Sequence, residues 1–156
     1  SDVYKRQIQY ADLNSFTLGF KTANRPLRGF GCLFPSQEGF HSLGVLFNND
    51  IFEGRGPFQT ETWMIRGSET TESELLAKIL EDRQRMLGYS ERPDEMILTA
   101  WPKALPCYSI ELEKTLNSLE LPKNIHLVGN YMGRMGLAKI LDQCSEVADR
   151  ITKNES

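Results

Sequence analysis

The chain has 156 residues, the length of one ordinary domain or of a piece cut from a larger protein. Hydrophobic residues make up 40% and charged residues 25%, a globular composition that supports a core without disulfides or metals. With 18 Lys and Arg against 21 Asp and Glu, the net charge of -3 gives no field that favours nucleic acid or an anionic membrane. We therefore expect no nucleic-acid partner. Cys32, Cys107 and Cys144 are too few and too far apart for a disulfide framework, and they indicate a reduced, cytoplasmic location.

The first third of the chain has the patterns of β-strands. Apolar residues alternate with small or polar ones over 15–20, which is the period of a half-buried strand. Two apolar runs, 29–34 and 43–47, flank a short polar turn and predict an antiparallel hairpin. A third apolar segment, 62–65, follows the stretch 48–58, whose glycines and proline predict a surface loop.

A helix is predicted after this region. Thr71 followed by Glu74 is a capping-box pattern, apolar residues then recur at helical spacing, and Gly88 ends the helix. A short strand, 96–100, leads into a proline-marked loop, 102–107. A second, shorter amphipathic helix is expected after this loop, over residues 111–119.

The last part of the chain differs in pattern. A short, mostly apolar strand is predicted at 125–128, a glycine-rich turn at 129–136 and a helix at 137–152. Strand, glycine turn and helix together resemble half of a βαβ unit, whose strand needs parallel neighbours. No other such unit occurs in the sequence, so the chain looks incomplete. One face of the helix is apolar and comprises Ile140, Leu141, Cys144, Val147, Ala148 and Ile151.

The glycine-rich turn is the first candidate binding site. The N-terminus of a helix carries unpaired N–H groups and partial positive charge, so this turn could hold a phosphate or a carbonyl-rich ring edge. The alternative is a turn that needs glycine for its backbone angles and binds nothing. A full GxGxxG fingerprint is absent from the sequence.

The loop that starts at Trp101 is the second candidate. Its aromatic residues, prolines and single cation suit a flat apolar ligand with acidic side groups, and Lys103 would then face a carboxylate. The alternative is a proline-rich crossover whose aromatic rings fill the core. His41 and His126 lack cysteine or carboxylate ligands beside them, so we expect no metal site, and His126 is expected to be a packed strand residue. Five arginines are candidates for binding carboxylates or phosphates: Arg25, Arg28, Arg55, Arg66 and Arg134.

Several motifs in order resemble one family. They are Leu18-Gly19-Phe20, Gly29-Phe30-Gly31-Cys32-Leu33-Phe34-Pro35, Leu43-Gly44-Val45-Leu46-Phe47, Trp101-Pro102-Lys103-Ala104-Leu105-Pro106-Cys107-Tyr108 and Gly129-Asn130-Tyr131-Met132-Gly133. Together they resemble FAD-dependent protoporphyrinogen oxidases, in the flavin-containing amine oxidase superfamily, over the C-terminal half of such a protein. The family usually has Gln where Cys107 stands, and Arg134 replaces a small residue in the last turn.

The resemblance implies a parent enzyme that oxidises protoporphyrinogen IX to protoporphyrin IX in haem biosynthesis, with FAD accepting hydride. It implies an α+β fold in two parts. Residues 1–108 would form an antiparallel sheet with a packed helix, part of the substrate-binding domain, and 109–156 would close a Rossmann-like FAD-binding domain. Cofactor-binding residues would be Gly129, Asn130, Gly133, Met135 and Gly136. Substrate-binding residues would be Trp101, Lys103 and Tyr108, and no catalytic residue is assigned.

The N-terminal GxGxxG unit that holds the ADP half of FAD is absent from this sequence, so we expect the chain alone to be inactive. Two alternatives stay open. The chain could be a non-catalytic module that binds a tetrapyrrole or another flat acidic ligand, or a domain that self-associates into a homo-oligomer. Peripheral membrane contact of the parent is also left open by the resemblance.

Overall fold

The structure is a computed structural model that describes residues 8–21, 28–67, 71–89, 91–133 and 136–154. Predictions that involve Arg25, Arg134 and Met135 lie outside the described residues. The chain divides into two compact units. The sheet unit comprises Ala11–Ala104, and the C-terminal unit comprises the described residues outside that range. The assignment of 1–108 and 109–156 to a substrate domain and a flavin domain stays a prediction.

A five-stranded antiparallel sheet forms the centre of the sheet unit, in the order β2-β3-β4-β1-β5. Its strands are β1 Tyr10–Phe20, β2 Gly31–Leu33, β3 Ser42–Phe47, β4 Gln59–Arg66 and β5 Glu95–Pro106. The α+β class, the antiparallel sheet and the β2–β3 hairpin predicted from the sequence are confirmed. In that hairpin Cys32 lies opposite Val45.

Four α-helices accompany the sheet: α1 Asn48–Ile51, α2 Glu72–Leu87, α3 Ile110–Asn117 and α4 Leu137–Asn154. Short 3₁₀ turns occupy Ser36–Glu38 and Asn130–Met132. The predicted surface loop at 48–58 therefore begins with a helical turn. No helix of the described residues has the length and apolar character that crossing a membrane requires.

The core of the sheet unit lies between α2 and one face of the sheet. Alternate residues of each strand share a face, so apolar side chains at alternate positions of β1, β3 and β4 join the same cluster. The buried members are Phe16, Leu18, Phe20, Val45, Phe47, Trp63, Ile65, Leu75 and Ile79. Burial of this apolar surface is the main source of stability for the sheet unit.

The predicted capping box at the start of α2 is present. Thr71 Oγ1 accepts a hydrogen bond from the Glu74 N–H at 3.4 Å, and Glu74 Oε2 accepts one from the Thr71 N–H at 3.0 Å. At the other end Gly88 adopts a left-handed conformation with φ of 81°, which ends the helix as predicted.

The predicted loop at 102–107 is wrong, because β5 continues through Pro106. Proline cannot donate a ladder hydrogen bond, so a proline-containing strand is expected at the edge of a sheet. β5 is such an edge strand, with β1 as its neighbour in the sheet order.

The predicted strand at 125–128 is also wrong, because these residues form no ladder in the described part of the chain. A strand forms only where another strand satisfies its N–H and C=O groups. His126 is exposed rather than packed. Of the α4 side chains whose burial the structure describes, only Gln143 and Val147 are buried, although the sequence of α4 has an apolar face. The α4 half of the predicted βα unit is thus formed, and its strand half is not.

Candidate functional site

A cleft opens in the sheet unit where the start of β1 lies beside the second half of β5. Its volume is about 380 Å³, within the range of roughly 300–1,000 Å³ that small-molecule sites occupy. The lining residues are Asp12, Leu13, Asn14, Gly67, Ala100, Trp101 and Pro102. We call it the Asp12–Trp101 cleft. It combines an aromatic ring, aliphatic groups and two polar side chains, the mixture that fixes an orientation for a partly apolar ligand.

Trp101 is held at the cleft by a residue of the neighbouring strand. Its indole Nε1–H donates a hydrogen bond to Ser15 Oγ at 2.9 Å, and the side chain is still 53% exposed. An indole that is fixed by one polar contact and open to solvent can stack against a flat ligand without a large loss of rotamer freedom. The alternative considered from the sequence, in which this ring fills the core, is wrong.

Lys103 has an unusual backbone. Its φ of 53° makes it the one non-glycine residue with positive φ among those the structure describes. Its N–H donates a hydrogen bond to Asp12 Oδ1 at 2.6 Å. Asp12 is held in turn, because its carbonyl oxygen accepts a hydrogen bond from the Gly67 N–H at 2.8 Å. Left-handed backbone in a residue with a Cβ is strained and persists only where the surroundings enforce it.

In the C-terminal unit, the predicted glycine turn precedes α4. Gly133 and Gly136 have φ of 78° and 92°, and a Cβ added at either would meet nothing within 4 Å. Gly129, with φ of 148°, is more confined, since its N–H donates to Gln143 Oε1 at 3.3 Å. α4 has 18 residues, and its first N–H groups have no intrahelical acceptors. Backbone atoms near Gly133 and Gly136 can therefore approach a ligand closely.

Tyr108 contacts the predicted glycine turn of the C-terminal unit. Its hydroxyl donates a hydrogen bond to the carbonyl oxygen of Asn130, the residue after Gly129. Burial raises the pKa of the Tyr108 and Tyr131 hydroxyls above 10, so both are neutral donors at ordinary pH. A groove of about 500 Å³ lies here, lined by Tyr108, Ser109, Ile110, Leu112, Glu113, Leu116, Asn117, Met132 and Gly133.

The predicted site residues thus fall into two groups. Trp101 and Lys103 lie in the sheet unit, at or next to the Asp12–Trp101 cleft. Tyr108 lies in the C-terminal unit with the predicted cofactor-binding residues, of which Met135 is outside the described residues. The binding roles of both groups stay predictions.

Sequence reasoning missed the polar side chains that hold these groups in place. They are Asp12, Ser15 and Gln143. A single polar residue at a strand start or on a helix gives no sequence signal of its cross-strand or turn partner. Within the described ranges, no three His, Cys, Asp or Glu side chains come together as metal ligands.

Comparison with known proteins places these features in a family context. No protein-family model matches the sequence. The chain is 30% identical to protoporphyrinogen oxidase 2, chloroplastic/mitochondrial, of Arabidopsis thaliana and 29% identical to the mitochondrial protoporphyrinogen oxidase of Nicotiana tabacum. Each alignment covers 93% of this chain and 32% of the plant protein. The chain therefore spans about a third of the length of these relatives.

A solved structure has a similar fold. The crystal structure of a protein from Exiguobacterium sp. 255-15, provisionally named a protoporphyrinogen oxidase, superposes with a TM-score of 0.72 at 14% identity. The match covers 94% of this chain and 35% of that protein. With the plant relatives, this confirms that the chain resembles the protoporphyrinogen oxidases along nearly its whole length, as a segment of about a third of such a protein.

Proposed function

We propose that the chain is part of an FAD-dependent oxidoreductase that converts protoporphyrinogen IX into protoporphyrin IX. The observation that carries the proposal is the alignment of 93% of the chain with plant protoporphyrinogen oxidases. The sheet unit supplies part of the wall that faces the porphyrinogen. The C-terminal unit completes a Rossmann-like domain around the flavin, and α4 packs there against segments that this sequence does not contain.

The glycine turn fits the role of a flavin contact. Gly133 and Gly136 leave open the space that a Cβ would fill, and the orphan N–H groups of α4 offer donors to a ring oxygen or a phosphate. Gly129 and Asn130 are held in the same turn by Gln143 and by the Tyr108 hydroxyl. When bound, FAD supplies the hydride acceptor. The chain's own residues bind and orient it, and they donate hydrogen bonds from the main chain.

For the substrate role we keep the residues predicted from the sequence, which are Trp101 and Lys103 of the sheet unit and, separately, Tyr108 of the C-terminal unit. The exposed indole of Trp101 offers a flat apolar surface for a pyrrole ring. Among the described residues, no carboxylate forms an ion pair with the Lys103 ammonium, so it can pair with a propionate of the substrate. Tyr108 contributes a neutral hydroxyl.

Two titrations of the purified chain test the proposal. We expect protoporphyrin IX to quench tryptophan fluorescence and FAD to be released on dialysis, because the ADP-binding unit is missing from this sequence. We also expect no oxidation of protoporphyrinogen IX when FAD and oxygen are present. Tight stoichiometric FAD with turnover would contradict the inactivity of the chain alone.

A chimera tests the parent activity. The aligned third of Arabidopsis thaliana protoporphyrinogen oxidase 2 is replaced by this chain, and porphyrin formation is followed by fluorescence. We expect measurable turnover. A chimera that folds and holds FAD but never oxidises the porphyrinogen, beside a chain that binds porphyrin, would favour the non-catalytic tetrapyrrole-binding module instead.

A further inference from the structure

The strongest feature that the proposed function does not explain is the contact between Asp12 and Lys103. The hydrogen bond from the Lys103 N–H to Asp12 Oδ1 is short, at 2.6 Å, and its acceptor is a carboxylate. Charge-assisted hydrogen bonds of this kind are stronger than bonds between neutral groups. This bond lies at the one described non-glycine residue with positive φ. The strained backbone of Lys103 is therefore held by a strong hydrogen bond at the same residue.

Asp12 is itself fixed on both sides. Its main-chain oxygen accepts from the Gly67 N–H at 2.8 Å, and a Cβ added to Gly67 would lie 2.5 Å from the Asp12 Cβ. Any larger residue at 67 would clash with Asp12, so the two segments could not keep this close approach. The close approach of β1 to residue 67 thus sets the place of the carboxylate, and the carboxylate sets the backbone of Lys103.

We propose that Asp12 is a positioning residue, which holds Lys103 in the left-handed conformation so that its ammonium meets a carboxylate of a flat heteroaromatic ligand lying in the Asp12–Trp101 cleft. This proposal rests on the proposed function and deepens it, because it names the residue that positions Lys103 for the anionic side group of the ligand. Without the Asp12 restraint, we expect Lys103 to return to an extended backbone, which would redirect its side chain.

Two further observations support the assignment. Trp101 and Lys103 stand two positions apart on β5, and β1 restrains both of them, through Ser15 and Asp12 respectively. The Lys103 ammonium has no ion pair with a carboxylate of the residues that the structure describes. A lysine with a costly backbone, whose ammonium pairs with no carboxylate in the described ranges, is better explained by an external anion than by stability.

The test uses the purified chain and two probes, protoporphyrin IX and its uncharged dimethyl ester, with tryptophan quenching as the readout. We expect the diacid to bind about tenfold more tightly than the ester. Asp12→Ala and Lys103→Gly should each lose about tenfold in affinity for the diacid and leave ester affinity unchanged. Asp12→Asn keeps an oxygen acceptor but loses the charge, and it should lose less affinity for the diacid than Asp12→Ala does.

A double variant separates positioning from a general structural role. In the Lys103→Gly background, Asp12→Ala should cause no further loss, because the group that Asp12 positions has gone. Asp149→Ala, which removes an exposed carboxylate of the C-terminal unit, is the control for net charge. If Asp12→Ala does not fold, Asp12→Glu is used in its place. This variant keeps the charge but displaces the carboxylate, so it should still weaken diacid binding several-fold.

The possible failures are distinct. If neither probe binds the unmodified chain, the proposed function is contradicted, because the sheet unit then does not bind the porphyrin. If both probes bind equally well, or if the Asp12→Ala and Asp12→Glu variants bind the diacid as the unmodified chain does, the positioning role of Asp12 is overturned while the proposed function stands.

Discussion

Arg83 of α2 forms a fully buried ion pair with Glu61 of β4, with 3.0 Å between Arg83 Nε and Glu61 Oε2. Both side chains are at most 2% exposed. The Trp63 indole N–H donates to the same Glu61 oxygen at 3.1 Å, and the Arg83 guanidinium lies 4.2 Å from the centre of the Phe20 ring. The pair thus joins the helix to the sheet inside a mostly apolar core, where either charge alone would be costly.

Removing one partner should therefore destabilise the chain strongly. We expect Glu61→Gln to lower the free energy of unfolding by up to about 3–5 kcal/mol, because Arg83 loses its buried counter-charge and keeps only the partly exposed Glu91, at 3.4 Å. Urea denaturation followed by Trp63 fluorescence measures the change. Glu53→Gln, at an exposed position, should stay within about 0.5 kcal/mol of the unmodified chain.

The double variant Glu61→Gln with Arg83→Met gives the sharper comparison. The free energy of unfolding should fall clearly less in the double variant than in Glu61→Gln alone, since the buried charge of Arg83 is removed together with its partner. A double variant that loses the full sum of the two single effects would show that the two charges do not interact.

The capping box of α2 predicts a pH dependence. Hydrogen bonds from Thr71, its backbone N–H first, lower the pKa of Glu74 in the folded chain. A lowered pKa contributes stability that is present above the unfolded pKa of about 4.3 and is lost as the pH falls through the lower folded value. The advantage of the unmodified chain over Glu74→Gln should thus shrink as the pH falls below about 4.3 in thermal unfolding. In the Glu53→Gln control, no comparable change is expected.

Thr71→Ala tests the other half of the same capping box. Because the Thr71 hydroxyl accepts the Glu74 N–H, its loss should cost about 1 kcal/mol at neutral pH. Chemical denaturation at pH 7 measures this cost. A cost below a few tenths of a kcal/mol would mean that the N-cap contributes little here.

Much of the sheet unit follows from the sequence because its signals are local. The alternation at 15–20 and the capping box at Thr71 each predict an element that the structure contains. The start of β1 has no such signal, because Asp12 and Asn14 are polar. The hydrogen bond between the Asp12 carboxylate and the Lys103 N–H depends on a neighbouring strand. Likewise the sequence cannot show that β5 is an edge strand, the condition under which its prolines are tolerated.

In the C-terminal unit the sequence signals are less reliable, because the structure there depends on contacts between distant residues. Residues 125–128 have the composition of a strand, yet pairing depends on a partner, which composition does not reveal. The glycine turn was predicted as a site because its glycines are visible, whereas its restraints from Gln143 and Tyr108 depend on tertiary contacts.

The two tryptophans should differ in solvent access. Trp63 is fully buried and Trp101 is 53% exposed, so Trp101 should account for most of the quenching by acrylamide. Trp101→Phe should leave a blue-shifted emission that resists quenching, and Trp63→Phe should leave a red-shifted, readily quenched one. Ser15→Ala should lower the fluorescence anisotropy of Trp101, since the hydrogen bond at 2.9 Å is lost. Equal quenching of both single-tryptophan variants would contradict the exposed position of Trp101.

The left-handed backbone conformation of Gly133 predicts which of two substitutions at this position costs more stability. A Cβ there meets no neighbour within 4 Å, so any cost comes from the backbone, whose φ is 78°. Gly133→Ala should lower the free energy of unfolding of the C-terminal unit by about 1–2 kcal/mol, the cost of a left-handed non-glycine residue. Gly133→Asn should cost less, although its side chain is larger, because Asn tolerates this conformation. Hydrogen exchange of the amides in α4 measures both. If the larger Asn were the more damaging residue, steric crowding rather than backbone conformation would govern this turn.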